Sequence, residues 1–551
     1  MSNLLGSAAW STDIGCWRYQ PIGNAGSAMQ GNFLLLGEGQ NNRGYMHVRA
    51  PLQHMLTVAP TRSGKGVSLI IPNLLTYRGS VLVIDPKAEA AWITAEHRRR
   101  ALGQKTLIVD PWGEVNRRYG AMAGVTESIA RFNPLSVLDP ESDEYVDDLA
   151  YLADALIITQ SSREPHWDES ARELVAGLIA FVVESPQYHA EASLGLVRGL
   201  LCLPGPELQI AIKDAQKLDR GSIAKTKLGR FEGDSKEIDS VMSTARTQTA
   251  FLDSAVLARN MAASDFSFDE LCHGNVSIYL VLPPDKLETY ARWLRLMVSV
   301  AIRAVARRGS QNPSGLPALF MLDEFGTIGK LNAVAQAYGL MAGLGMIVWA
   351  FAQDLNQLKR DYPDHWETLV GNVQAMICMG VMDNFTAEYV SKMLGTRTIE
   401  HQNVSTTQDA FSQVGTSTSS STQVMSRPLF HPDEVRGLGG DFSIIMGHFP
   451  PICARRIVYH QDWDFLHCAR PDPHFPRTEN VRWVALQYRL FEMGSVARLL
   501  KEYGYEVERR RLGQWEVRDA DGNGKPTRRF ANDNELWRWT YILAMDGVDS
   551  A

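Results

Sequence analysis

The sequence lacks the features that would place it in several broad classes. Its 55 Lys and Arg stand against 62 Asp and Glu, a formal net charge of −7. With no global basic field, any contact with nucleic acid has to come from local Lys/Arg clusters or from assembly around a channel. The six cysteines (Cys16, Cys202, Cys272, Cys378, Cys453, Cys468) show neither C-x-x-C nor C-x-x-x-C spacing. That argues against a structural zinc site or a disulfide framework and for a reducing compartment. No apolar run reaches the roughly 18 residues of a membrane span; "LRLMVSVAIRAVA", 294–306, is broken by Arg303. No signal peptide or internal repeat is legible, so the chain is expected in the cytoplasm.

What is there is ordinary globular composition, 45% apolar and 21% charged over 551 residues, enough for two or three domains. Short Val/Ile/Leu-rich runs alternate with helical patterns, which predicts an α/β fold with a mainly parallel sheet covered by helices. The expected strands are "HMLTVA", "SVLVID", "KTLIVD", "VSIYLVLP", "ALFMLDE", "GMIVWAFAQ" and "VQAMICMGV". Between the third and fourth, helical spacing takes over (Leu149, Leu152, Leu156; Leu174, Leu178, Val182), predicting an inserted all-α subdomain over 142–260 between two parts of a nucleotide-binding domain, 1–141 and 261–470. The Ser/Thr/Gln-rich, nearly uncharged stretch 402–426 is expected to be a mobile loop. "GGDFSIIMGHFPPICARRIVYH" reads as a hairpin closing the sheet. Beyond the Pro-studded "ARPDPHFPRTEN", residues 471–551 form a small appended domain, with a helix "GSVARLLKEY", two strands around "DADGNG" and a Trp-rich end.

The chemistry concentrates in "LTVAPTRSGKGVSLIIPNLL", 56–75. A strand, a turn containing Gly64 and Lys65, and an apolar helix make the context of a phosphate cradle, in which backbone N–H groups face the anion and the lysine adds a point charge. The pattern G-x-x-x-x-G-K-[ST] nevertheless fails at both ends: Ala59 stands for the first Gly, and Gly66 for the Mg²⁺-binding hydroxyl residue. Taken alone, the loop also fits a turn with a solvent-exposed lysine. Its cofactor-binding candidates are Ala59, Pro60, Thr61, Arg62, Ser63, Gly64, Lys65, Gly66 and Val67.

A second motif, "ALFMLDEF", ends an apolar strand in Asp323-Glu324. Two adjacent carboxylates at the carboxyl end of a buried strand are costly unless they hold a metal or a water. The expected roles are Asp323 on the shell of Mg²⁺ and Glu324 as the base that polarises the attacking water. Gln353, ending "GMIVWAFAQ", is a candidate to orient that water or to sense the γ-phosphate; it is equally a polar residue opening the next helix. Asp85 and Lys87 in "VIDPKAE" either border the nucleotide or shape a surface turn. Trp167, Asp168 and Ser170 in "PHWDESAR" read as a helix start.

Six blocks in order, "HMLTVAPTRSGKGVSLIIPNLL", "VLVIDPKAEAAWITAEHRR", "WDESARELVAGL", "LFMLDEFGTIGKL", "FAQDLNQL" and "SRPLFHPDEVRGL", resemble the TraG-like coupling proteins of type IV secretion and conjugation systems. The resemblance covers about residues 6–460. It implies a RecA-like P-loop ATPase using ATP and Mg²⁺, and a loop reading T-R-S-G-K-G, so that Gly66 belongs to the pattern and water, Thr61 or Ser68 replaces the missing hydroxyl on the metal. It also implies assembly as a ring, usually a hexamer, at the cytoplasmic face of the bacterial inner membrane. There it would bring single-stranded DNA with its relaxase, or protein effectors, to components of the secretion channel. A ring site is completed by a neighbour's arginine, for which Arg397 and Arg427 are the candidates. Relatives place two membrane helices ahead of a segment like "GSAAWST", here near Met1, so the expected location is cytoplasmic or membrane-docked through partners or a missing anchor, with weak self-association. A cytosolic FtsK/HerA-like ring translocase and a non-hydrolysing recruitment platform are the alternative readings.

Overall fold

A computed structural model describes residues 7–10, 17–18, 33–38, 44–49, 51–120, 128–158, 165–309, 311–313, 315–340, 343–408, 416–462, 465, 468–471, 500–501, 505–509, 515–519 and 527–530. The chain divides into two compact units, 1–19 with 30–456, and 20–29 with 457–551.

The first unit is built on one 12-stranded sheet. Its strands are β1 (Trp17–Arg18), β2 (Phe33–Glu38), β3 (Gly44–Arg49), β4 (Met55–Val58), β5 (Val81–Ile84), β6 (Lys105–Val109), β7 (Val276–Leu280), β8 (Ala318–Leu322), β9 (Met346–Ala352) and β10 (Ala375–Cys378), joined by β13 (Phe442–Gly447) and β14 (Ile452–Arg455). The seven strands read from the sequence all form. They lie parallel in the order β6-β7-β5-β8-β9-β4-β10. Every residue of β4, β5, β7, β8, β9 and β10 is buried, which explains why these strands read as unbroken apolar runs and not as alternation.

Two expectations change. The hairpin β13–β14 pairs antiparallel to β10 but does not close the sheet, because β14 meets β2 at Arg455 and Glu38, and β3 and β1 follow. β2 and β3 pair mainly with each other, and a single residue pair with β14 joins them to the sheet, a link that no local pattern announces. The stretch expected as a mobile loop over 402–426 is instead largely a two-stranded ribbon, β11 (Thr396–Gln408) with β12 (Thr416–Pro428), in antiparallel register throughout. Its Ser, Thr and Val content suits extended backbone, and the two strands satisfy each other's amides.

Between β6 and β7 the chain is helical, with helices including Tyr145–Leu156, Pro165–Glu184, Leu194–Leu201, Gly205–Ala215 and Lys236–Gln248. Leu149, Leu152, Leu156, Leu174, Leu178 and Val182 are all buried and share one hydrophobic cluster with the sheet. Asp168 is buried and accepts a hydrogen bond from Gln248 Nε2 at 2.7 Å, a structural role. The long helix Leu287–Arg308 carries the insertion on its flank: Arg303 Nε and Arg307 Nη1 reach Asp148 at 3.1 and 2.7 Å.

In the second unit β15 (Tyr505–Arg509), β16 (Trp515–Asp519) and β17 (Arg528–Phe530) form an antiparallel sheet, the last two flanking the "DADGNG" turn signal. Most of the expected helix "GSVARLLKEY" and the Trp-rich end lie outside the described residues.

Arg98 is fully buried and contacts no carboxylate among the described residues. It donates instead to the carbonyls of Leu74, Tyr77 and Gly79, to Ser277 Oγ and to Gln104 Oε1. It thereby ties the end of the helix after β4 to the turn before β5. Arg98→Leu strands these acceptors without donors, and should cost about 3–5 kcal/mol, read as a fall in melting temperature.

Candidate functional site

The site lies at the carboxyl ends of the parallel strands. β4 runs into the loop 59–65 and then a helix over 66–76, whose first turn, Gly66–Ile70, is wound as a π-helix. Ala59 is buried with its amide on Ala352 O at 2.8 Å, extending the ladder with β9 by one residue. It adopts no positive φ, so no glycine is needed there. Thr61 and Arg62 are exposed; Ser63, Gly64, Gly66 and Val67 are half-buried, as is Pro60 before them. Gly64 has φ +86°, and a side chain there would meet Arg456 Nη1 at 3.1 Å, whereas a Cβ on Gly66 would meet nothing within 4 Å.

Lys65, which the sequence alone also allowed as a solvent-exposed lysine, is buried. Its Nζ lies 2.9 Å from Asp323 Oδ1 and 2.8 Å from Glu324 Oε1. Burial disfavours the ammonium, but the two carboxylates outweigh it and raise the lysine pKa. Burial pushes the Asp323 carboxyl up against the pull of Lys65. For Glu324 burial also acts upward, yet Lys65 and the hydrogen bond from Gln353 outweigh it and hold the carboxyl below its usual range. Glu324 is therefore kept ionised, as a base must be.

β9, between β4 and β8, delivers Gln353, whose Nε2 donates to Glu324 Oε2 at 3.0 Å. The reading of Gln353 as a helix-opening polar residue fails: Asp354 caps the helix Leu355–Asp361, and Gln357 Oε1 accepts from the Gln353 amide at 3.0 Å. Asp85 is buried, and burial carries its carboxyl to about 7; it accepts from the Ala91 amide at 2.7 Å and feels the charge of Asp323. Lys87 is exposed and helps to lower Glu324. Among the described residues, the three non-glycine positions with positive φ are Arg62, Ala88 and Glu324, at 65°, 57° and 54°. All follow strands of this one edge, as strain held at a functional site does.

Arg397 and Arg427 are not brought to this cluster within the subunit. They face each other across the base of the β11–β12 ribbon, Arg397 exposed and Arg427 paired with Glu434 at 2.6 Å. Two residues escaped the sequence reading. Gln357 had no signal beyond its place in "FAQDLNQL". Arg456, which donates from Nη1 to the carbonyl of Ser63, lies 393 residues away in sequence and was legible only as one of two adjacent arginines ending a strand.

The residues fit a Mg²⁺-nucleotide. Ser63 Oγ is buried with no hydrogen-bond partner at the phosphate loop, and Asp323 offers the hard oxygen that Mg²⁺ takes beside phosphate and water. Ser63 packs toward Gly380, after β10, on the side of β4 away from Asp323.

The family model of type IV secretory system conjugative DNA transfer matches residues 18–481. The chain belongs to this conjugative DNA transfer family. Among its relatives are the conjugal transfer protein TraG of Escherichia coli, 29% identical over 454 residues covering 76% of this chain and 69% of TraG, and VirD4 of Agrobacterium fabrum, 28% identical over 74% of this chain and 59% of VirD4. The structure of the coupling protein TrwB with a non-hydrolysable ATP analogue matches with a TM-score of 0.55 at 16% identity, over 74% of this chain and 85% of that one. An unbound form of TrwB matches likewise, with a TM-score of 0.55 at 15% identity over 78% and 90%. The likeness establishes the expected RecA-like P-loop fold for this member of the family. No helix among the described residues is long and apolar enough to cross a membrane.

The two loop glycines should respond oppositely to alanine. Gly64→Ala forces a side chain into positive φ and against Arg456, and should lower the melting temperature by an amount equivalent to about 1–2 kcal/mol. Gly66→Ala meets open space inside a helix, and should leave the melting temperature unchanged or raise it slightly.

Proposed function

We propose that this family member is an ATP-hydrolysing coupling motor that works as a ring and brings single-stranded DNA with its relaxase, or protein effectors, to the channel of a type IV secretion system. The observation that carries the hydrolytic reading is the Lys65–Asp323–Glu324 cluster with Gln353 on the free oxygen of Glu324. A platform that only held nucleotide would not need a second carboxylate kept ionised beside a water-orienting amide.

The loop amides of 61–65 and Lys65 would hold the phosphates of ATP, and Asp323 would hold Mg²⁺, with water in the place left by Gly66. The bound metal supplies charge neutralisation on the phosphates. On this chain's side, Lys65 exchanges its two carboxylates for phosphate oxygens, which frees Glu324 to accept a proton from the attacking water while Gln353 orients it. The cation that meets the developing charge from outside comes from a neighbouring copy. Arg397 and Arg427 remain the candidates, since they lie together on the ribbon base and not in their own subunit's cluster.

Glu324→Gln should keep ATP bound while turnover falls by about 10² or more, whereas Lys65→Ala should lose both; equal loss of binding in the two variants would overturn these roles. Gly66→Ser, for which there is room, should lower the Mg²⁺ concentration that half-saturates ATPase activity. Specific activity should rise faster than linearly with protein concentration, in step with mass by light scattering. A monomer with full, concentration-independent activity would overturn the shared site.

A further inference from the structure

The strongest unassigned group is Arg456, which follows β14 on the antiparallel extension of the sheet. Its neighbour Arg455 continues the strand toward Glu38 of β2 and is exposed. Arg456 turns the other way: its amide bonds Asp441 O at 2.9 Å, and its guanidinium reaches back to the phosphate loop, where Nη1 donates to Ser63 O.

Two glycines keep this path open. A Cβ at Gly64 would lie 3.1 Å from Nη1, and one at Gly440 would lie 3.2 Å from Nη2. The guanidinium is half-buried, which lowers its pKa, and the nearby charge of Asp441 does not restore it. Its loop contact is a carbonyl, so the loop itself supplies no charge to balance it. A cation of this kind, laid along a loop shaped for anions, is placed for an anion to complete it.

The charge balance on the other flank of the loop argues the same way. Lys65 is held by two carboxylates, so that cluster is one cation against two anions and gives no net attraction to a phosphate chain before Mg²⁺ arrives. Strand order places Arg456 opposite it: β4 has β9 and β8 on one side, with Glu324, and β10, β13 and β14 on the other. Ser63, whose buried hydroxyl lacks a partner, is on the Arg456 side.

We propose that Arg456 is a positioning residue of the nucleotide site, clamping the Ser63–Gly64 turn from the flank opposite Glu324 and supplying the cation met there by the diphosphate portion common to ADP and ATP. This rests on the ATP reading above. Because the group acts on the diphosphate and not on the leaving phosphate, its loss weakens both nucleotides alike and affects binding more than turnover.

The test is equilibrium binding of fluorescent ADP and ATP analogues, with Mg²⁺, to the full chain, alongside kcat and KM. Arg456→Gln should weaken both nucleotides about tenfold, a larger factor than its effect on kcat. Arg456→Lys should recover part of the loss, since it restores charge without the fork. Gly440→Ala keeps the arginine but pushes it off the loop, and should weaken both nucleotides in the same direction. If Arg456→Gln does not fold, Arg456→Lys and Gly440→Ala decide. Unchanged affinity in the folded variants, or a loss confined to ATP, would overturn the clamp. Failure of the unaltered chain to bind either nucleotide would instead overturn the ATP reading on which the clamp rests.

Discussion

One ammonium group holds the site together. Lys65 Nζ lies within 2.9 Å of both Asp323 and Glu324, and none of the three tolerates this partly buried edge without the others. Two adjacent carboxylates ending an apolar strand need a cation, and a lysine brought below the surface needs an anion. The strand order supplies both: β4 and β8 are separated by β9 alone, so a lysine just after β4 spans to the carboxylates just after β8, and the intervening strand ends in the glutamine that takes the remaining oxygen. Strain at Arg62 and Glu324 is the backbone counterpart of this arrangement, turning both segments back toward the same point.

The rest of the first unit supports that edge from two directions. On one flank the helix Leu287–Arg308 packs beneath the helical insertion and is locked to it through Asp148, so the insertion and the sheet share a single hydrophobic cluster. Arg295 of the same helix donates to Lys330 O, just beyond the turn that carries Glu324. Tyr362 pins the next amide at 3.0 Å while stacking on Phe325. On the other flank β13 and β14 lie beside β10, which delivers Arg456 to the phosphate loop, 393 residues away in sequence. The insertion and the far sheet edge therefore meet the Lys65–Glu324 edge through packed, hydrogen-bonded elements and not through loops alone.

Much of this was legible beforehand because the signals are local. Seven buried parallel strands read as apolar runs, the insertion reads as amphipathic spacing, and Lys65, Asp323 and Glu324 stand at fixed offsets from strands that announce themselves. Departures from the general loop pattern also have local reasons: Ala59 continues a β-ladder with ordinary φ, and Gly66 faces open space. The ribbon over 396–428 was misread because Ser/Thr-rich composition describes both solvated loops and extended strands, and only its pairing distinguishes them.

The sequence by itself determined the fold class, the helical insertion and the presence of charged residues at the ends of β4 and β8, since these follow from hydrophobic periodicity and from the cost of burying charge. The tertiary structure alone decided that β2 and β3 extend the sheet past the hairpin, that Gln353 reaches Glu324 while Asp354 caps the next helix, that Arg397 and Arg427 sit together on the ribbon, and that Arg456 touches Ser63. Each of these is a contact between segments far apart in the chain or between side chains whose directions are set by packing. No spacing along the chain encodes which distant strand will bring its terminal residue to a given loop.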